Sequence, residues 1–244
     1  MATSRAQTAG AWDDSTVRVR RSFAFIDLSG FSALTERQGD ERAVALLGGF
    51  RTLVREICSR RGVRIAKWLG DGAMLVGVET EPLVATALEL QYAASTSRTP
   101  VKTTCGLTTG AVILLEGDDY IGHAVNVAAR LCDLAAPSQI LAAEPASEHL
   151  PPWGQVARRT EVLLRGLDSP LTVLELALRP PEGDSTEDPI CGLPLTARTA
   201  TATSRDRVGR VLLFCSESCR ETWESRPRPA PDEQGSLRVP LIGS

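Results

Sequence analysis

The chain has 244 residues, 43% of them hydrophobic, and a formal net charge of −3, which is enough for one sizeable domain plus something small. Its mildly acidic, sign-mixed balance leaves no electrostatic footprint for nucleic acid or for an anionic membrane. The longest apolar run, Ala111 to Leu115, falls far short of the ~20 residues that span a bilayer, and the first residues lack the apolar centre of a signal peptide. A soluble, cytoplasmic protein is expected, with no membrane and no nucleic-acid partner. Its six cysteines should then be reduced, so any that cluster point to metal or redox chemistry before disulfides.

Residues 1–20, rich in Ser, Thr and Ala, read as a flexible lead-in. Arg21 to Leu28 is the first expected strand. A helix follows with Val44, Leu47, Phe50, Leu53, Val54 and Ile57 on one face, closed by Gly62. "VRIAKWLGDGAMLVGV" is two β-rich runs joined by a hairpin signal, and Pro82 opens a second helix. "VKTTCGLTTGAVILLEGDD" reads as strands and "AVNVAARLCDLA" as a helix stopped before Pro137. "SQILAAE", "TEVLLRGL" and "LTVLELAL" complete the sheet. This order predicts an α+β layer with helices on one face. Residues 179–187 are Pro-, Gly- and acid-rich and read as a linker, 188–227 as a small cysteine-bearing module, and 228–244 as a disordered tail.

Asp27 closes the first strand and Asp71 sits in the turn of "KWLGDG". A strand-end Asp beside Gly30 can cap a helix, and a turn Asp needs no further role. Two such carboxylates can also share a hard cation such as Mg²⁺, which binds through one or two carboxylates plus substrate phosphates.

Three motifs in order, "FAFIDLSGFSALTE", "KWLGDGAMLV" and "DDYIGHAVNVAARL", followed by "LLRGLDSPLTVLEL", resemble the catalytic domain of the class III nucleotidyl cyclases over Arg21 to Leu178. The resemblance implies a ferredoxin-like α+β fold. It also implies two Mg²⁺ or Mn²⁺ ions held by Asp27, Asp71 and the Leu28 carbonyl at the sheet edge. Backbone N–H groups after "LSGF" then face the triphosphate, where a helix start favours negative charge.

The family's base-reading pair falls on Lys67 and Asp119, where chemistry can discriminate. A Lys ammonium only donates and an ionised Asp only accepts, which matches N1 and N6 of adenine and mismatches guanine; ATP is expected over GTP. The family's transition-state residues fall on Asn126 and Arg130, i and i+4 on one helix face. Asn126 would orient the ribose and Arg130 would neutralise charge at the α-phosphate. Arg165 matches a basic residue that contacts terminal phosphates. His123 and His149 read as loop histidines. Lys67 and Asp71 lie across one hairpin, yet in the family they serve opposite ends of a nucleotide. A head-to-tail homodimer with shared active sites is therefore expected.

"DPICG" and "FCSESC" place Cys191, Cys215 and Cys219 in one short segment resembling YHS/TRASH-type metal modules. That resemblance implies a bound Zn²⁺ or Cu⁺, with the fourth ligand open between Asp188, Glu217, water or a partner's group. Packing of three reduced thiols is the competing reading. Cys58, Cys105 and Cys132 read as core thiols. The expected function is an adenylate cyclase with the module as its candidate regulator; a silent nucleotide-binding platform and a metal-handling protein are the alternatives.

Overall fold

The computed structural model describes residues 18–97, 101–115 and 119–226. The expected lead-in falls largely, and the expected tail wholly, outside them. The chain runs β1 (Arg18–Leu28), α1 (Phe31–Gln38), α2 (Asp40–Arg61), β2 (Arg64–Leu69), β3 (Gly72–Gly77), α3 (Thr80–Thr96), β4 (Thr103–Leu114), β5 (Tyr120–Ile121), α4 (His123–Leu134) and β6 (Gln139–Ala143). A 3₁₀ turn (Glu144–His149), β7 (Gly154–Val162) and β8 (Leu171–Leu178) complete the body. Residues 18–20, expected in the lead-in, are the start of β1.

The large sheet has the order β2-β3-β1-β4-β6-β8-β7, with β5 added on β4. Only β4 and β6 run parallel, because α4 is the crossover between them. Alternation along β1 decides the two faces. Ala24, Ile26 and Leu28 join Phe50, Val54 and Ile57 of α2 and Leu83, Val84 and Leu88 of α3 in one core. Phe23 turns the other way, to Met74, Val76, Val112 and the α4 residues Ala124 and Ala128. The α+β class holds, but the helices are not all on one face. α4 lies on the opposite side, so close to β4 that a Cβ at Gly106 would stand 2.1 Å from the Ala128 carbonyl oxygen.

The C-terminal module holds β9 (Thr186–Glu187), β10 (Pro194–Leu195), β11 (Ala202–Arg205), β12 (Val211–Phe214) and α5 (Glu217–Ser225). It is not tethered at a distance. Leu193, Leu195, Phe214, Cys215 and Cys219 belong to the same buried cluster as α2 and α3, and residues 186–187 of the expected linker pair with β10. The cause is legible in α3, where Leu83 to Leu90 are buried almost without interruption. A helix apolar all round must be covered all round, and the module supplies part of the cover: Tyr92 Oη donates to the Gly192 carbonyl at 3.1 Å, and Trp153 Nε1 donates to the Cys215 carbonyl at 3.0 Å.

Candidate functional site

Asp27 is the penultimate residue of β1, which is a central strand rather than a lateral edge of the sheet. Asp71 stands in the two-residue turn between β2 and β3, where Gly70 takes φ +63°. The chains approach so closely here that a Cβ at Gly72 would lie 2.7 Å from both Asp27 Oδ1 and the Ile26 carbonyl. Burial pushes the Asp27 carboxyl above its ordinary value, the charge of Asp71 adds to this, and a backbone hydrogen bond at Leu28 opposes it. Among the described residues neither aspartate has an ion-pair partner. Such a pair gains from a cation, and the donor set, two carboxylates and a strand-end carbonyl, suits Mg²⁺ or Mn²⁺.

Gly30, with φ +78°, starts α1, and no side chain caps its first turn; these N–H groups remain available to an anion. Phe31, Ser32, Thr35, Arg51, Gly70 and Asp71 line one surface hollow. Arg51 donates to the Gly70 carbonyl at 2.9 Å and lies over the Trp68 ring; its Nε is buried with no hydrogen-bond partner. In the sequence this donor looks like an ordinary charge on an amphipathic helix.

Lys67 Nζ donates to Asp119 Oδ1 at 2.8 Å, and the Tyr120 amide donates to the same oxygen at 3.0 Å. The Lys67 bond holds the Asp119 carboxyl below its ordinary value. Both side chains are about half exposed, so the pair is prearranged yet open. Tyr120 is fixed in turn by an edge contact to Phe23 and by Arg64, which donates to its hydroxyl at 2.9 Å. Asn126 is exposed and Arg130 half-buried on α4. The Arg130 guanidinium covers Gly166, whose Cβ would lie 3.1 Å from it, and so stands beside the turn carrying the exposed Arg165.

The second cluster is closed. Ligand atoms of Asp188, Cys191, Cys215 and Cys219 all lie within 4.8 Å of one another. Cys215 Sγ is 3.5 Å from Cys191 Sγ and 3.6 Å from Cys219 Sγ. Ser216 caps α5 by accepting the Cys219 amide, which sets residues 215 and 219 on one side. Asp188 is buried; Oδ1 accepts from the amides of Ile190 and Cys191 and Oδ2 from that of Cys215 at 2.7 Å. Of the open candidates for a fourth ligand, Asp188 is the one brought to the sulfurs.

The groups that border this cluster belong to no sequence motif. Arg61 donates to Cys215 Sγ at 3.1 Å and to Glu89 Oε2 at 2.5 Å, and Arg60 also pairs with Glu89. Burial disfavours the Arg61 cation, but Glu89 and Cys215 outweigh it and hold the guanidinium above its ordinary value. An acid inside the apolar run "VATALEL" was the available signal. The other three cysteines are buried; burial pushes Cys58 up to about 12 and Cys132 up to about 11, as expected of core thiols.

No family model matches the chain. An uncharacterized protein of Mycobacterium tuberculosis is 35% identical over 185 residues, 76% of this chain and 48% of its own length. The pH-sensitive adenylate cyclase of the same organism is 33% identical over 127 residues, 52% of this chain and 32% of its own length. The chain thus spans about half the length, or less, of these curated relatives. Among solved structures, the guanylyl cyclase Cya2 superposes with a TM-score of 0.61 at 20% identity, over 69% of this chain and 97% of its own. Some sequence relatives are named adenylate cyclase, the structural neighbours include both adenylyl and guanylyl cyclases, and the chain has the mixed α+β fold of the class III cyclase catalytic domains.

Proposed function

We propose that this chain is an adenylate cyclase domain, converting ATP to 3′,5′-cyclic AMP and pyrophosphate at two active sites shared between the copies of a homodimer. The observation that carries the reading is the Asp27–Asp71 carboxylate pair, held against Gly72 beside an uncapped helix start. Two divalent cations bound there would activate the ribose 3′-hydroxyl and take up charge on the leaving pyrophosphate. The first-turn amides of α1 receive phosphate oxygens. Asn126 orients the ribose, Arg130 compensates charge at the α-phosphate, and Arg165 reaches the terminal phosphates.

Adenine preference is supported by the Lys67–Asp119 pair. Asp119 Oδ2 keeps its acceptor capacity for N6, and the Lys67 ammonium keeps two hydrogens for N1. A shared site is supported by apolar residues left exposed around these groups: Leu69 at 46%, Leu114 at 45% and Ile121 at 54%, a rim suited to a second copy. The cluster of Cys191, Cys215 and Cys219 supports a thiophilic cation, Zn²⁺ or Cu⁺, in the C-terminal module.

The test is direct. The full chain, incubated with ATP or GTP and Mg²⁺ or Mn²⁺, should yield cyclic AMP from ATP and nothing after chelation of the cations. Nucleotide binding without product would favour the silent platform. Cyclic GMP as the main product would overturn the base assignment.

A further inference from the structure

We propose that the metal site of the C-terminal module is completed by the body of the protein, with the Arg61 guanidinium serving as the counter-charge and hydrogen-bond donor to the Cys215 thiolate. This rests on the reading of the cysteine cluster as a site for a thiophilic cation. The geometry surrounds Cys215 on every polar atom: its amide goes to Asp188 Oδ2, its carbonyl accepts from Trp153 Nε1 at 3.0 Å, and its sulfur accepts from Arg61 at 3.1 Å. Two of these three partners belong to the body. Arg61 is itself 5% exposed at its side chain, stacked over Trp153 at 5.3 Å. Ser218 of α5 also donates to the Arg60 carbonyl at 2.6 Å, so the end of α2 and the start of α5 are bound backbone to side chain.

Charge makes the arrangement necessary. Three thiolates with Asp188 and Glu89 set five negative charges against two guanidinium groups, and a divalent cation still leaves an excess of one. Buried excess charge is costly, and a hydrogen bond between two charged groups is stronger than a neutral one. A metal-held thiolate therefore gains more from Arg61 than a thiol does, and by linkage Arg61 raises cation affinity. Asp188 Oδ2 accepts one hydrogen bond and keeps a lone pair, which makes it the fourth ligand of a tetrahedral site. The site is thus a property of the docked whole, and residues 188–226 alone lack part of it.

The experiment uses the full chain and Zn²⁺ alone, in competition with a chromophoric chelator. The wild-type protein should bind about one Zn²⁺. Arg61→Met should weaken binding by about 10- to 100-fold, the usual effect of removing a partner that hydrogen-bonds a ligand, with the fold checked by circular dichroism. Arg61→Lys, which keeps the charge and the Glu89 pair, should weaken it by less. Glu89→Gln separates the two roles of Arg61: it removes a competing negative charge, so affinity should hold or rise. If Arg61→Met does not fold, the Lys and Gln variants carry the test. Failure of the wild type to take up zinc would sink the metal reading itself. Zinc affinity unchanged in both Arg61 variants, or Glu89→Gln as damaging as Arg61→Met, would overturn the role given to Arg61 while leaving the metal.

Discussion

At its C-terminal end α2 delivers Arg60 and Arg61 into a buried cluster of sulfurs and carboxylates, where Arg61 bonds both Glu89 and Cys215 Sγ and Arg60 pairs with Glu89, although Arg60 Nε, like Arg51 Nε, is buried without a hydrogen-bond partner among the described residues. Ten residues earlier, about 15 Å along the same helix, Arg51 borders an open hollow where, among the described residues, Asp71 has no ion-pair partner and no side chain caps the first turn of α1. The buried cluster is organised mainly by side chains and amides of its own chain. An open one can keep its charges half-satisfied, provided that substrate, cations and a second copy finish it. This contrast predicts which substitutions act on folding and which act on turnover.

The largest effect should come at the open end. Asp71→Ala removes a proposed cation ligand from a turn, so turnover should fall by about 1,000-fold, several kcal/mol of transition-state stabilisation, with the melting temperature nearly unchanged. Wild-type-like cyclic AMP formation would remove the carboxylate pair from the mechanism. The closed end should respond in the opposite sense. Ending the chain after Leu178 strips Leu193, Leu195 and Phe214 from the shared core, at ~1.5–3 kcal/mol each, and leaves Trp153 Nε1 without its acceptor. A fall in melting temperature of about 10 °C or more is expected; a truncated body as stable as the full chain would show the contact to be idle.

Two further tests sharpen the open site. Mixing Lys67→Ala chains with Asp27→Ala chains should recover up to about a quarter of wild-type activity. Half of the randomly exchanged dimers are then mixed, with both defects in one site and the other intact. Subunit exchange without recovery would confine each active site to one chain. Lys67→Glu with Asp119→Cys should move the ATP-to-GTP preference by about tenfold or more, since donor and acceptor capacities facing the base are exchanged. An active double variant with the original preference would refute the base-reading role.

The elements were legible from the apolar run "FAFI" in β1, "LGDG" at the hairpin and the apolar stripe on α2 through Phe50, Val54 and Ile57; Val44, expected on that stripe, is instead 69% exposed. The positions proposed to bear nucleotide chemistry lie in short motifs, many at strand ends and turns, which the sequence displays directly. What escaped was contact across long sequence separation. "RPPEGDSTED" has the composition of a free linker, and composition does not say that residues beyond it are needed as cover for α3. Arg60 and Arg61 look like ordinary cations in the last turn of a helix, and only the fold places Cys215, 154 residues further on, within reach of Arg61. Their common partner Glu89 was the one local clue, a carboxylate in the middle of an all-apolar stretch, where a charge persists only if paired.

The smallest effect tests the same contrast through stability. The Asp27 carboxyl lies above its ordinary value through burial and the neighbouring charge of Asp71, so its ionised form is disfavoured by folding. The sign follows from linkage: a carboxyl raised in the folded state destabilises at pH values above its unfolded value of about 3.9, and the penalty fades as pH falls. At neutral pH without divalent cations, Asp27→Asn should therefore raise the melting temperature, by about 1–2 °C given that the group is only half-buried. Saturating Mn²⁺ should reverse the order, because the wild-type protein gains stability by binding the cation and the variant loses a ligand for it. A melting temperature that falls on substitution in the absence of cations would show that Asp27 serves the fold. Equal stabilisation of both proteins by Mn²⁺ would show that it does not hold the cation.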